Sequence, residues 1–579
     1  MMPRYTNQEV AKLFADIGDL LEIKGENRFK ILAYRKAADN IAGLGQDLFD
    51  LWESGQDLRK IEGIGQAIAD KSAELFSTGR LEFWEKLTAE VPVSLVEVLN
   101  IPDVGPKLAK SMWQELGLTT VAEVKAAAQA GRLQTLPRMG AKSEARILAS
   151  IEALERRETG RVHLGIAWPL ARQVMAVLDN LPDALKVEVA GSLRRMRETI
   201  GDLDFLVATE NPRPIMAAFK DLADVQEVIA AGETKTSVRF KNGLQADLRC
   251  LEPSRWGTAL QYFTGSQAHN VKVRELAQKQ GYSLNEYALT RESDGEKLMF
   301  DNEVELYEFL GMDYIPPLLR EDRGEIKAAQ NHTLPTLLKI GDIKGEVHCH
   351  STWSDGADSI EAMARAALAR GYEYLVISDH SQSLGIANGL TPERLRQQRR
   401  EIDEVQARLP GIRLLQGTEM EIKADGTLDF ADEVLAELDF VVASVHTGLR
   451  QDRETLTRRT LAAINNPYVH LIGHPSGRLL TQREAGDFDM EAIMQAAAAT
   501  GTALEINASP ERLDLSDAHV RRAVELGVKL MINCDAHHTD GFENLRFGVA
   551  TANRGWATAE TILNTRSWRE IEAMVMKAN

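Results

Sequence analysis

The sequence predicts a multidomain chain of mixed class, α+β and α/β, on three observations. Apolar residues recur at spacings of three and four through the first 160 or so residues (Val10, Leu13, Phe14, Ile17, Leu20, Leu21), the signature of amphipathic helices joined by Gly-bearing turns. From 161 to about 320, short runs such as KVEVAGS, DLDFLVA, SVRF and QADLRCL alternate with helical stretches. From 344 onward, apolar strands and helices alternate regularly, the texture of a (β/α) barrel. A chain of 579 residues with 44% apolar content can build a core for each of these regions.

Composition sets further bounds. Cys250, Cys349 and Cys534 are far apart and flanked by predicted strands, which fits buried reduced thiols rather than a disulfide framework. The N-terminus MMPRYTNQEV lacks a secretory profile and no apolar run reaches membrane-spanning length, so a cytoplasmic chain without membrane contact is expected. The net charge of −18 speaks superficially against nucleic acid. It is unevenly spread, about −3 over residues 1–160 and about −10 over 344–579, and binding follows local patches. The charge neither supports nor excludes DNA.

In the helical region one pattern occurs three times: IEGIGQAIADKSAELF (61–76), IPDVGPKLAKSMWQEL (101–116) and LPRMGAKSEARILASI (136–151). Each is an apolar residue, a tight turn ending in Gly65, Gly105 or Gly140, then an amphipathic helix. A glycine turn feeding a helix N-terminus offers backbone N–H groups and partial positive charge to a phosphate, and reads no base sequence. One copy would be an ordinary helix connection; three in one cadence favour the phosphate reading. Gly63 completes the first repeat, whereas Asp103 and Arg138 stand at that place in the others.

The middle region carries Gly191 and Ser192 at the end of one strand, Asp202 and Asp204 on the next, and Asp247 on a third. Strand alternation turns residues two apart to one face, so the two neighbouring carboxylates can share a metal pair and Asp247 can complete it. Carboxylates alone suit Mg²⁺ or Mn²⁺, which would activate a 3′-hydroxyl and stabilise leaving pyrophosphate. The Gly-Ser turn and Arg195 would meet the triphosphate.

Seven apolar strands follow in the last region: GEVHCHS, YLVISDH, IRLLQGTEMEI, FVVASVH, HLIGHP, ALEINA and KLMINCDAH. Six end in His, Asp or Glu; ALEINA ends neutral at Asn507. In a parallel barrel the C-terminal strand ends converge on one face, where catalytic groups collect. A lone strand-end histidine is usually a packed core residue, but six strands repeating the placement is not. The set is His348, His350, Asp355, His380, Glu419, His446, His474, Asp535 and His537. Imidazoles mixed with carboxylates suit Zn²⁺, Mn²⁺ or Fe, which generate a hydroxide near neutral pH. His470, His519 and His538 fall outside the pattern and receive no role.

These strings carry two resemblances. YFTGSQAHNVKVRE (262–275), with Gly191-Ser192 and the three acids, resembles the nucleotide-binding segment and palm of family X DNA polymerases. The resemblance implies that Tyr262 and Phe263 lie against the incoming sugar, beside Gly265 and Ser266. It further implies that Asn270 meets the base edge, that Arg274 touches the template side, and that Ser192 and Arg195 hold the triphosphate. Gln267 stands where vertebrate members carry an acid. NRFKILAYRKAADNI (27–41) and the first repeat resemble the same family's DNA-end-binding domain, and the three repeats resemble helix-hairpin-helix motifs. There Lys71 matches a Schiff-base nucleophile for deoxyribose phosphate, which requires an unprotonated amine, and Lys30 and Lys60 match phosphate-binding positions. Ala67 replaces another family lysine, and an exposed helix lysine is an equally plain reading of Lys71. HCHSTWSDG, SDH, GTEMEI, SVH, GHP and NCDAHH, in that order, resemble the polymerase-and-histidinol-phosphatase (PHP) domain across 344–579. This implies a trinuclear site of Zn²⁺ and/or Mn²⁺ on all nine positions, bridged by Glu419.

The resemblances imply helix-hairpin-helix N-terminal domains, a nucleotidyltransferase palm with a mixed sheet, and a distorted (β/α)7 PHP barrel. They divide the chain into a DNA-end-binding domain (1–90), a helical fingers-like domain (91–160), the palm (161–260) and a thumb-like nucleotide-binding subdomain (261–320). A linker (321–343) and the PHP phosphoesterase domain (344–579) follow. The linker is read from the polar, proline-punctuated stretch 314–342. The expected function is a monomeric gap-filling DNA repair polymerase acting on gapped or nicked DNA and dNTPs. Its PHP centre would remove 3′-terminal nucleotides and cut at abasic sites. A second reading makes the PHP domain a metal-stabilised scaffold, and a third makes the chain a small-molecule nucleotidyltransferase fused to a phosphoesterase.

Overall fold

Thr6 opens the first helix, Asn7–Lys24, through a capping box with Glu9, and Gly25 closes it in the left-handed region at φ 90°. Its apolar stripe is buried as the spacing requires: Val10, Phe14, Ile17, Leu20 and Leu21 form a core with Ile31, Tyr34 and Ala37 of helix Arg28–Ala42. The computed structural model describes residues 5–575 apart from 43, 45, 46, 62, 100, 102, 103, 138 and 156–159, in two units, 1–160 and 161–579. Asp103 and Arg138 therefore lie outside the described residues. The described part of the first unit is helical throughout. Gly65, Gly105 and Gly140 sit immediately before helices Gln66–Thr78, Pro106–Leu116 and Ala141–Glu155. Gly63 adopts φ 80°, and a Cβ there would lie 2.3 Å from Asn40 Nδ2, so the first turn needs its glycine.

In the second unit a five-stranded mixed sheet runs in the order Lys186–Val189, Asp202–Ala208, Gln245–Leu251, Lys235–Phe240, Val225–Ala231. The second and third of these are parallel, and their register sets Asp204 opposite Asp247. Helix Trp256–Thr264 crosses the expected boundary at 260/261: Trp256 and Leu260 pack with Ala190, Leu206 and Ala208 of the sheet, while Tyr262 and Phe263 occupy its last turn. A three-stranded sheet (Tyr282–Leu284, Leu289–Arg291, Lys297–Leu298) follows.

The stretch expected to be a linker is not a solvated tether. It contains a helical turn at Pro317–Leu319 and the helix Glu325–Gln330, and Arg320, Glu325 and Ala329 are wholly buried. Leu338 N donates to Asn553 Oδ1 and its carbonyl accepts from Asn553 Nδ2. Composition misled here because Arg320, Glu321 and Glu325 are paired inside rather than hydrated outside.

The remaining seven strands, from Gly345–Glu346 to Leu530–Asn533, pair side by side in chain order and all in parallel. A parallel bridge between Cys349 and Ala536 joins the first extension to the last, nearly closing the ring. Helices cover the strands, which is why the strands read as unbroken apolar runs. Cys250, Cys349 and Cys534 are all buried free thiols. Among the described residues no helix is long and apolar enough to cross a membrane.

Candidate functional site

Strand geometry builds the carboxylate centre. Asp204 and Asp247 face one another across adjacent parallel strands, and Asp202 lies two residues from Asp204 on the same face. Gly191 presses against them: at φ 60°, its Cβ would lie 2.4 Å from Asp204 Oδ2. It opens the short helix Gly191–Arg194, which carries Ser192. Burial, and then the charges of Asp202 and Asp247, push the Asp204 carboxyl up to about 7. Asp247 moves the other way: burial would raise it, but Lys235, 2.7 Å from its Oδ2, and hydrogen bonds from Ser237 and Gln245 lower it. Lys235 is a site residue that the sequence reading missed.

Tyr262 and Phe263 meet edge to face at 5.2 Å, and the Arg249 guanidinium lies 4.6 Å from the Phe263 ring centre. Gly265 caps the helix at φ 70°, and Ser266 starts helix Gln267–Lys279 by accepting from His269 N. Asn270 is buried and its amide is engaged: Nδ2 donates to the Tyr262 carbonyl at 2.7 Å, and Oδ1 accepts from Gln261 Nε2 at 2.8 Å. Arg274 Nε donates to the Asn270 carbonyl at 3.3 Å. Arg195 pairs with Glu321 at 3.0 Å.

The histidine set converges at one end of the barrel. Glu419 is its hub: His474 Nε2 lies 2.8 Å from Oε1, His446 Nε2 3.1 Å, His380 Nδ1 2.9 Å from Oε2, His348 Nε2 3.4 Å and His350 Nε2 3.6 Å. Three groups have ligand atoms within 4.8 Å of one another: His350, Asp355, His380 and His537; His348, His350, Glu419 and Asp535; and His380, Glu419 and His446. His474 joins through Glu419, so all nine expected positions meet. The three acids of the palm are not among these groups and stand wider apart.

The donors fit cations. Buried ring nitrogens His350 Nδ1 and His474 Nδ1 have no hydrogen-bond partner, and His348 Nε2 and His380 Nδ1 face Glu419 without hydrogen-bond angles, a costly state that a cation would relieve. Burial alone would raise Glu419, yet His446, His348 and His380 overwhelm it and hold the carboxyl well below its usual range. Burial would lower His380 and His446, but Glu419 raises them to about 10 and about 9. Burial and the neighbouring His380 and His537 hold His350 down to about 3. The carboxylates thus attract positive charge that the crowded imidazoles cannot all carry as protons.

A surrounding set of carboxylates, missed from the sequence, orients these ligands. Glu505 Oε1 takes His348 Nδ1 at 2.7 Å, and Glu421 Oε2 takes His446 Nδ1 at 2.7 Å. Asp379 accepts from Ser351 and Ser354 in the loop leading to Asp355. The signal was present: Glu421 follows Glu419 by two and Glu505 precedes Asn507 by two, each on one strand face. Asn507, noted as a neutral strand end, donates to Glu505 and to Asp535. Arg512, 3.5 Å from Asp535, adds a cation at the rim. His470 instead packs on Phe440 and accepts from Val441 N.

In the first unit Lys30 and Lys71 both approach the Phe83 ring, at 5.1 and 4.8 Å from its centre, and Lys60 is exposed at the end of a short turn. Phe83 was not singled out from the sequence.

Comparison with known proteins accords with this layout. Family models match a helix-hairpin-helix domain at residues 5–81, a SAM-like helix-hairpin-helix tandem at 95–153, the DNA polymerase beta thumb at 259–321 and the PHP domain at 346–509. The DNA polymerase/3′-5′ exonuclease PolX of Bacillus subtilis strain 168 is 39% identical over 573 residues, covering 98% of this chain and 99% of that protein. DNA polymerase lambda of Rattus norvegicus is 24% identical over 343 residues, 54% of this chain and 56% of that protein. A probable phosphatase of Thermoanaerobacter sp. strain X514 is 28% identical over 232 residues, 38% of this chain and 89% of that protein.

Proposed function

Because the chain belongs to the family X DNA polymerases that carry a C-terminal PHP domain, we propose that it fills short gaps in DNA during repair. It extends a 3′-hydroxyl at the palm and trims 3′ termini, with cutting at abasic sites, at the barrel. The observation that carries the polymerase half is the register of Asp204 against Asp247 beside the Gly191 turn.

Asp202, Asp204 and Asp247 would hold Mg²⁺ or Mn²⁺, and the nine barrel residues would hold up to three Zn²⁺ or Mn²⁺ ions. When bound, such cations neutralise phosphate charge and lower the pKa of an attacking hydroxyl or water. The chain's own groups do the positioning. Ser192 and Arg195 receive the triphosphate, Tyr262 and Phe263 wall the sugar, and Asn270 and Arg274 meet base and template. For Asn270 this requires exchanging its bond to the Tyr262 carbonyl for one to the base. The hairpin turns at Gly63, Gly65, Gly105 and Gly140, with Lys30, Lys60 and Lys71, contact DNA phosphates as the protein acts as a monomer. Glu505 and Glu421 fix the tautomers of His348 and His446.

End-labelled gapped duplex with Mg²⁺ or Mn²⁺, with and without dNTPs, tests the assignment. Asp204→Asn is expected to lose extension by about 10³-fold and keep 3′ trimming, and His348→Ala to do the reverse with an unchanged melting temperature. Extension by Asp204→Asn removes the palm assignment. Trimming by an unfolded or destabilised His348→Ala leaves the barrel as a scaffold.

A further inference from the structure

The guanidinium of Arg195 is held from two sides. Its Nε donates to Glu321 Oε1 at 3.0 Å and its Nη1 donates to the Thr264 carbonyl, which leaves Nη2 for a phosphate oxygen. Glu321 Oε1 is shared with a second cation, Arg554 Nη1, at 2.9 Å. The same Arg554 Nη1 also donates to the backbone carbonyl of Arg195 at 2.8 Å. Arg554 ends the barrel helix Leu545–Arg554 and its side chain is 3% exposed. Its Nη2 is anchored on Asp517 Oδ2 at 2.6 Å, an oxygen also taken by Arg323 Nη1 at 3.1 Å.

Adhesion between barrel and palm does not need these ions. Phe547, Leu480 and Leu513 of the barrel lie in the same apolar core as Leu203 and Phe205 of the palm strand. Buried ion pairs add little adhesion over apolar contacts because desolvation offsets their attraction; what a forked guanidinium adds is fixed geometry. Here the fork spans the barrel carboxylate Asp517, the carboxylate Glu321 in the buried strap of residues 317–330, and the Arg195 backbone.

We propose that Arg554 of the PHP barrel is a positioning residue for nucleotide binding at the palm, holding Glu321 and Arg195 so that Arg195 presents Nη2 to the triphosphate. Polymerisation would then depend on the nuclease domain independently of nuclease chemistry. The inference rests on the reading of Arg195 as a triphosphate contact.

The test uses the full-length chain in single-nucleotide incorporation on a gapped duplex, with 3′ trimming and melting temperature measured alongside. Arg554→Met is expected to raise the KM for dNTP about tenfold with kcat changed less than about threefold, and to leave trimming unchanged, while melting falls because Asp517 and Glu321 lose a buried partner. Arg554→Lys keeps the buried charge without the fork and should raise KM by a smaller factor in the same direction. Combined with Arg195→Lys, Arg554→Met should add nothing to the effect of Arg195→Lys alone. Unchanged KM in both Arg554 variants, when Arg195→Lys raises it, overturns the positioning role. So does an additive double variant, or a fall of trimming in parallel with polymerisation. If Arg195→Lys itself leaves KM unchanged, the reading of Arg195 has failed and the inference goes with it.

Discussion

The two centres differ in what holds them together before any cation arrives. In the barrel, five imidazoles crowd one carboxylate, Glu419, at 2.8 to 3.6 Å, each at or beside the end of a different strand except His348 and His350, which share one. In the palm, three carboxylates have no imidazole among them; Lys235 occupies Asp247, and Asp204 is pushed up to about 7 by burial and by its two acidic neighbours. An imidazole, neutral or protonated, approaches a carboxylate without repulsion, whereas carboxylates brought together repel one another. The barrel centre is therefore preassembled, whereas the palm acids repel one another until positive charge is supplied.

The sharpest way to break this comparison is to remove the hub. Glu419→Gln should lower 3′ trimming by about 10³-fold and reduce bound metal, with primer extension retained. Persistent trimming, with metal content measured on the same sample, would show that Glu419 is not shared. Next comes the palm's own constraint: Gly191→Ala places a Cβ against Asp204 Oδ2 at a positive φ, so extension should drop by about 10²-fold while trimming is untouched. Normal extension rates would mean that the Gly191 turn does not set the position of Asp204.

A smaller effect sharpens the idea of preassembly. Glu505→Gln leaves His348 without its carboxylate partner and should weaken metal retention at the barrel by about 10- to 100-fold, read by chelator competition. An unchanged competition curve would assign Glu505 to packing alone. The smallest effect concerns the strap between the centres. Glu303 lies between Arg194 at 2.7 Å and Arg320 at 2.6 Å; burial would raise its pKa, but the two guanidiniums depress it to about 2. Because the folded value lies below the ordinary 4.5, its contribution of about 3 kcal/mol is present above pH about 4.5 and is lost as pH falls towards 2. Denaturant titrations across that window should show a shallower acid limb for Glu303→Gln; an unaltered limb would place the acid sensitivity elsewhere.

The candidate ligands were largely legible in the sequence because metal chemistry restricts residue types. His, Asp and Glu at successive strand ends have few other reasons to recur, and barrel topology brings strand ends together whatever lies between them. The Asp-x-Asp pair was legible for the same reason, since strand alternation alone sets both carboxylates on one face. Lys235, Glu421 and Glu505 were not, because a charged residue on a strand reads as solvated until its partner is known. The strap at 317–330 was misread for that reason: Arg320 and Glu325 look like surface residues, and only pairing with Glu303 and His269 explains their burial.

By itself, then, the sequence determined the division into helical, mixed and barrel regions, picked out the nine barrel positions that converge and the three palm acids, and carried the resemblance to their family. These are local properties, of periodicity and residue type, that survive without coordinates. The tertiary structure alone decided that Asp204 stands in register with Asp247, that Glu505 orients His348, and that Arg554 reaches Arg195 across 359 positions of chain. Such pairings depend on charges brought together from distant segments, and the low-dielectric surroundings that make their geometry decisive come from packing that no single segment can supply.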